Sequence, residues 1–187
     1  GGNEIVVDRE NQIYLANGPN ILKLDVNNDL DTLYKPINNN NPIKDLIIDK
    51  KGYLWFSTYD NFGSIFMLNA DTTIEYNSQN INYEMSAINC LAIDSTGNIW
   101  ISGMDMLLKY DIEFNKWTNM IEKYFLDINK QTSFNAIAFD NKNNLQLVSS
   151  FQYTTPATLY SFIDDKPKIT NFDSLYLEDM FVKTQDK

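Results

Sequence analysis

Leu91-Ala92-Ile93-Asp94-Ser95-Thr96-Gly97-Asn98-Ile99-Trp100-Ile101-Ser102-Gly103 sets the frame in which the rest of the chain is read. An apolar run ends in Asp, Gly follows three residues later and Trp three after that, the pattern of a strand, a tight turn and a returning strand. The punctuation recurs as Leu46-Ile47-Ile48-Asp49 with Gly52 and Trp55, and as Ile5-Val6-Val7-Asp8 with Asn11 and Tyr14. A fourth copy is Ile137-Ala138-Phe139-Asp140 with Asn143 and Gln146. The Asp-to-Asp intervals are 41, 45 and 46 residues, a period that marks a propeller or solenoid.

Turn chemistry accounts for the spacing. Asp at the first turn position accepts hydrogen bonds from the backbone N–H groups ahead of it, and the fourth position favours positive φ. Gly adopts that conformation freely and Asn tolerates it, so Gly52, Gly97, Asn11 and Asn143 answer one backbone need. Asp8, Asp49, Asp94 and Asp140 therefore read as turn formers rather than catalytic acids, since a repeated carboxylate serves a repeated structural purpose.

The 187 residues, 43% hydrophobic and 13% aromatic, suffice for a substantial folded core. A net charge of −10 gives the surface field the wrong sign for nucleic acid or anionic membranes. Cys90 is the only cysteine, so no intrachain disulfide forms, and its apolar surroundings mark it as a small core residue. The sequence contains no stretch long enough for a membrane span and no signal pattern at its start.

Each period holds four short strands. The units run roughly over residues 3–41, 42–84, 85–131 and 132–176, and 177–187 open the next, with Met180-Phe181-Val182-Lys183 in register with a first strand. Met120, Ile121, Tyr124, Phe125 and Ile128 predict a turn or two of helix before the fourth unit. First strands such as Ile5-Val6-Val7 and Leu46-Ile47-Ile48 are apolar at successive positions and are expected to be buried on both faces. Blades stacked around an axis provide that burial, whereas a sandwich leaves one face wet. The expected fold is all-β: a β-propeller of about four consecutive four-stranded antiparallel blades, one partial domain of a larger propeller. Tyr14, Trp55 and Trp100 fill the spaces between blades. Terminal blades would otherwise leave an apolar face open. Further blades of the same protein, closure as a four-bladed ring, or pairing of two copies would each cover it.

Lys44-Asp45-Leu46-Ile47-Ile48-Asp49-Lys50-Lys51-Gly52-Tyr53-Leu54-Trp55-Phe56-Ser57-Thr58 and residues 87–103 resemble the two-component regulator propeller repeat, as do Leu108-Lys109-Tyr110-Asp111 and Asn115-Lys116-Trp117. The first and fourth units match more loosely. The resemblance implies seven-bladed propellers in the periplasmic sensing regions of bacterial hybrid histidine kinases that detect glycan fragments, and also secreted propellers without a kinase. It therefore implies a non-enzymatic module of signal transduction, periplasmic or at the cell surface, that binds a carbohydrate. It names no invariant ligand residues.

The sequence has no His, which removes Ser-His-Asp and Cys-His catalysis and His-ligated zinc within the chain. It has no phosphate-binding or dinucleotide motif either. No cofactor and no metal site are expected; Asp25-Asn27-Asp29 and Asp164-Asp165 lack a complete calcium-loop signature. A propeller lyase would need a His base, and a paired-carboxylate glycosidase remains a third reading. In a propeller the loops joining second and third strands gather on one face. The candidate ligand-binding residues there are Tyr59, Asp60, Phe62, Met104, Asp105, Phe151 and Tyr153, aromatics to stack on sugar rings and polar groups to orient them. The alternative is that these residues cover the channel mouth, and that the acidic, aromatic face docks a protein partner as a structural scaffold.

Overall fold

The computed structural model describes residues 4–36, 40–60, 63–70, 72–124, 133–149 and 157–172. They form four antiparallel four-stranded sheets, each a meander whose strands pair in chain order. The first holds β1 (Ile5–Val7), β2 (Ile13–Asn17), β3 (Asn20–Leu24) and β4 (Leu30–Tyr34). The second holds β5 (Ile43–Ile48), β6 (Leu54–Thr58), β7 (Ile65–Leu68) and β8 (Thr73–Tyr76). The third holds β9 (Ile88–Ile93), β10 (Ile99–Gly103), β11 (Met106–Asp111) and β12 (Lys116–Asn119), and is followed by the short helix α1 (Ile121–Tyr124). The fourth holds β13 (Phe134–Phe139), β14 (Leu145–Ser149), β15 (Thr158–Ile163) and β16 (Lys166–Asn171). Phe125, Ile128 and the Met180-Phe181-Val182-Lys183 segment lie outside the described residues.

The chain divides into two compact units, Gly1–Ile88 and Asn89–Lys187. In the first, two sheets pack face to face. Ala16 and Ile21, with Val6, Tyr14 and Tyr34, meet Leu46, Leu54, Phe56, Phe66 and Leu68 of the second sheet. The Tyr34 and Phe56 rings sit 4.9 Å apart, and Phe56 stacks on Phe66 at 5.0 Å. In the second unit Trp100 and Leu107, with Cys90 and Ala92, pack on Phe134, Ile137, Leu145, Leu147 and Phe162. The Trp100 ring meets Phe139 edge-on at 5.4 Å. Across the same seam the Ser95 N–H donates to Asn143 Oδ1 at 2.7 Å.

The four Asp turns share one construction. The Asp Oδ1 accepts the backbone N–H two and four residues ahead: from Glu10 and Gln12 at Asp8, Lys51 and Tyr53 at Asp49, Thr96 and Asn98 at Asp94, Lys142 and Asn144 at Asp140. Asn11, Gly52, Gly97 and Asn143 each take positive φ. The Asp25 turn between β3 and β4 repeats the geometry, its Oδ1 accepting from the N–H groups of Asn27 and Asp29, with Asn28 at φ 66.

Burial within the sheets differs from the sequence expectation. The strands buried along their whole length are the second strands β6 and β10 and the third strand β7, not first strands. In β5 and β9 only the first and fourth residues are buried, and Ile5 and Val7 of β1 are 60% and 51% exposed. The first strand is the edge of its sheet and has a paired neighbour on one side only, whereas the second is flanked on both sides and lies deeper under the adjoining sheet.

Candidate functional site

The β6–β7 connection of the second sheet builds an open recess of about 490 Å³. It is lined by Thr58, Tyr59 and Asp60 at the end of β6, by Lys44 of β5, and by Asn41 and Ala87. Tyr59 leaves the sheet where its N–H is captured by the Pro42 carbonyl at 2.9 Å, and its ring is 47% exposed. Lys44 Nζ lies 5.4 Å from the ring centroid, within range of a cation–π contact. Asp60 is held at both oxygens: Thr58 Oγ1 donates to Oδ2 at 2.7 Å and the Gly63 N–H donates to Oδ1 at 2.6 Å. The recess thus combines an exposed aromatic ring, a cation and a carboxylate fixed by its neighbours. That set can stack on an apolar ring face while accepting from and donating to hydroxyl groups.

The corresponding connection in the second unit is tighter. Met104 and Asp105 join β10 to β11, Met104 forming an isolated bridge with Ser133 and Asp105 taking φ 50. Met104 is 45% exposed and Asp105 is exposed, while Met106 is buried in β11. Tyr59 and Asp60 share one recess in the first unit; Met104 and Asp105 belong to the second. Phe62, Phe151 and Tyr153 lie outside the described residues. Lys44, Thr58 and Asn41 were not picked out from the sequence as binding residues. No sequence signal marks Lys44, because its approach to the ring depends on the pairing of β5 with β6.

A second concavity, about 380 Å³, opens in the second unit between the Asp94 turn, α1 and the β15–β16 hairpin. Asp164 and Asp165 form that hairpin turn, both at positive φ as a two-residue reversal of this type requires. Lys123 Nζ and the Tyr124 hydroxyl donate to Asp165 Oδ1 at 2.9 and 3.1 Å. These bonds, that from Lys123 foremost, hold the Asp165 carboxyl below its ordinary range. At Asp94 burial pushes the pKa up, but bonds from Thr96, Trp100 and Asn98 outweigh it and the net shift is downward. Among the described residues no group of three or more His, Cys, Asp or Glu is placed to hold a metal ion. None of their helices is long and apolar enough to cross a membrane.

Trp100 and Trp55 are 4% and 1% exposed. Trp100 fills the seam between the third and fourth sheets, and Trp55 stacks on Tyr76 of its own sheet at 5.7 Å. Tyr14 is half-buried against the second sheet. Each aromatic also bonds its turn Asp: the Trp55 and Trp100 indoles donate to Oδ2 of Asp49 and Asp94 at 3.0 Å, the Tyr14 hydroxyl to Asp8 Oδ2 at 3.2 Å.

This strand–Asp turn–Trp strand unit at residues 43–58 lies within a stretch, residues 37–60, that matches the two-component regulator propeller family. The matched stretch takes in the first two strands of the second sheet, β5 and β6. The fold of the chain is that of β-propeller blades, and solved propellers superpose on nearly all of it. The extracellular domain assigned to a hybrid two-component system of B. thetaiotaomicron is 17% identical with a TM-score of 0.64, covering 91% of this chain and 23% of that one. A second extracellular domain from B. thetaiotaomicron, assigned to a one-component system, is 20% identical with a TM-score of 0.67, covering 91% and 24%. A catalytically inactive variant of virginiamycin B lyase from Staphylococcus aureus, with quinupristin, is 13% identical with a TM-score of 0.67, covering 93% and 56%. The propeller described here thus spans about a quarter of the two extracellular domains and just over half of the lyase. A comparison with curated protein sequences gave no match.

Proposed function

We propose that the chain is part of a non-enzymatic, extracytoplasmic sensing propeller that binds a neutral oligosaccharide in the recess of Tyr59, Asp60, Lys44 and Thr58. The observation that carries this reading is the exposed Tyr59 ring beside a carboxylate whose two oxygens are already oriented by Thr58 and Gly63. A sugar presents an apolar C–H face to such a ring and hydroxyl donors to such a carboxylate. The balance of one Lys against one Asp favours a ligand without net charge. The extracellular origin of the two B. thetaiotaomicron domains supports the location and the sensing role. The lyase neighbour was inactivated by replacing a His, and the present sequence has none, which favours binding over that chemistry.

The test is calorimetric titration against a panel of neutral oligosaccharides, repeated with Tyr59→Ala and Asp60→Asn. Binding that weakens about tenfold or more in each variant, about 1.4 kcal/mol, supports the reading. Absence of binding across the panel, or titrations unchanged by both substitutions, removes it. If the recess instead docks a protein, the panel stays silent and a pull-down with Tyr59→Ala as control loses its partner.

A further inference from the structure

The concavity at the seam of the third and fourth sheets holds polar groups that the fold itself does not use. Most of its polar lining is satisfied from within: Asp94 Oδ2 accepts from the Trp100 indole at 3.0 Å and from the Asn98 carboxamide at 2.9 Å, and Lys123, Tyr124 and Asp165 bond one another. Lys109 stands apart. Its side chain is only 27% exposed, and its Nζ lies 5.6 Å from the Trp100 ring centroid and 3.8 Å from Asp94 Oδ2, beyond hydrogen-bond reach. Among the described residues it donates to no acceptor. An ammonium group that loses most of its water without gaining an acceptor carries an uncompensated cost. Asn143 lines the same space, spends its Oδ1 on the Ser95 N–H and leaves its Nδ2 without an acceptor among the described residues. Asp164, at the turn of the β15–β16 hairpin, receives no hydrogen bond among them on either oxygen.

We propose that this concavity binds a free amino acid with an apolar side chain. The ligand carboxylate accepts from Lys109 Nζ and Asn143 Nδ2, and the ligand ammonium group donates to Asp164. Its side chain packs on Phe139 and Tyr124, the aromatic residues of the lining that keep partial exposure. Charge selects the zwitterion. The lining sets three carboxylates, Asp94, Asp164 and Asp165, against two ammonium groups, Lys109 and Lys123, so a simple anion meets a negative surplus and a simple cation leaves Lys109 unmet. The volume of about 380 Å³ lies at the lower end of the roughly 300 to 1,000 Å³ typical of small-molecule sites, in keeping with a ligand the size of one amino acid. This site belongs to the second unit and the Tyr59 recess to the first, so the two readings stand or fall separately.

Calorimetric titration of the full chain with L-phenylalanine, L-leucine and L-tryptophan reads the outcome. At least one is expected to bind at millimolar concentration or below. Its amide, which lacks the carboxylate, and its deaminated acid, which lacks the ammonium group, are each expected to bind about tenfold more weakly or not at all. Lys109→Met and Asp164→Asn are expected to weaken the amino acid by about tenfold each, while Tyr59→Ala leaves it unchanged. Asn tolerates the positive φ of position 164, so Asp164→Asn carries the test if circular dichroism shows that Lys109→Met has not folded. Silence with all three amino acids overturns the proposal. So does an amide or a deaminated acid that binds as tightly as its parent, and so does binding that Asp164→Asn leaves intact. Binding lost in Tyr59→Ala also overturns it, since the ligand would then sit in the other recess.

Discussion

The indole Nε1–H of Trp100 donates to Asp94 Oδ2 at 3.0 Å, so the residue that opens the turn also anchors the ring that fills the seam between two sheets. One carboxylate thereby connects local chain reversal to inter-sheet packing. Its other oxygen takes the backbone N–H groups of Thr96 and Asn98 at 3.0 Å each. Trp55 and Asp49 repeat the relationship at the same distance.

Asp94→Ala is expected to destabilise the chain by about 3 to 4 kcal/mol, because it removes a buried acceptor and strands the Trp100 indole and the Asn98 backbone N–H away from water. Asp140→Ala should cost only about 1 kcal/mol, since that turn is more exposed and its Oδ2 takes the Asn144 amide rather than a buried ring. Urea melts of the two variants side by side measure the difference, and equal losses would contradict it.

Trp100→Ala and Trp55→Ala are each expected to cost about 3 to 5 kcal/mol through the cavity they leave. Tyr14→Ala, at a half-buried position, should cost less than either. Losses below about 1 kcal/mol for both tryptophans would rule out their packing role.

Gly63 donates to Asp60 and sits at φ 62, and a Cβ there would overlap the carbonyl oxygen of Ser86. Gly63→Ala should therefore cost more than 2 kcal/mol (order of magnitude) and disturb the Tyr59 recess, because backbone rather than a flexible side chain must move. Gly18→Ala, with the same sign of φ but open space around it, should cost about 1 kcal/mol. Thermal melts that rank the two the other way would show that strain, not crowding, sets the cost.

Acid should weaken the fold below about pH 4. The carboxyls of Asp94, Asp140 and Asp165 all titrate below their ordinary value when folded. As pH falls through that range the unfolded chain takes up protons first, so the stability these groups add is present above their unfolded pKa and is lost as pH drops through the folded one. Urea midpoints recorded from pH 7 down to pH 3 should fall at the acid end, and Asp94→Asn should flatten part of that fall while lowering stability at neutral pH. A midpoint independent of pH would contradict it.

The repeat, the four Asp turns and the all-β class were legible because each rests on residues within a few positions of one another: Asp49 needs only Lys51, Gly52 and Tyr53 to close its turn. The Asp25 turn lies outside the Asp–Gly–Trp frame, yet its bonds match those of the other four. Full burial was assigned to first strands, since Leu46-Ile47-Ile48 is a continuous apolar run. The structure gives it to Leu54–Thr58, Ile65–Leu68 and Ile99–Gly103, because burial depends on which strands flank a segment, and a linear pattern does not record that. In the recess, Tyr59 and Asp60 were visible as an aromatic and a carboxylate in a predicted loop. Lys44 was not, since its approach to the ring depends on the pairing of β5 with β6.

By itself the sequence determined the period, the turn chemistry and the antiparallel strand order, all consequences of backbone preferences and hydrogen bonds acting over short spans. Only the tertiary structure decided which sheet faces are covered, that Trp100 and Trp55 are tied to Asp94 and Asp49, and that Ile5 and Val7 stand open to solvent. The reason is that covering a sheet face is a property of two sheets: the same alternating apolar residues are core in one copy and surface in another, according to what lies against them.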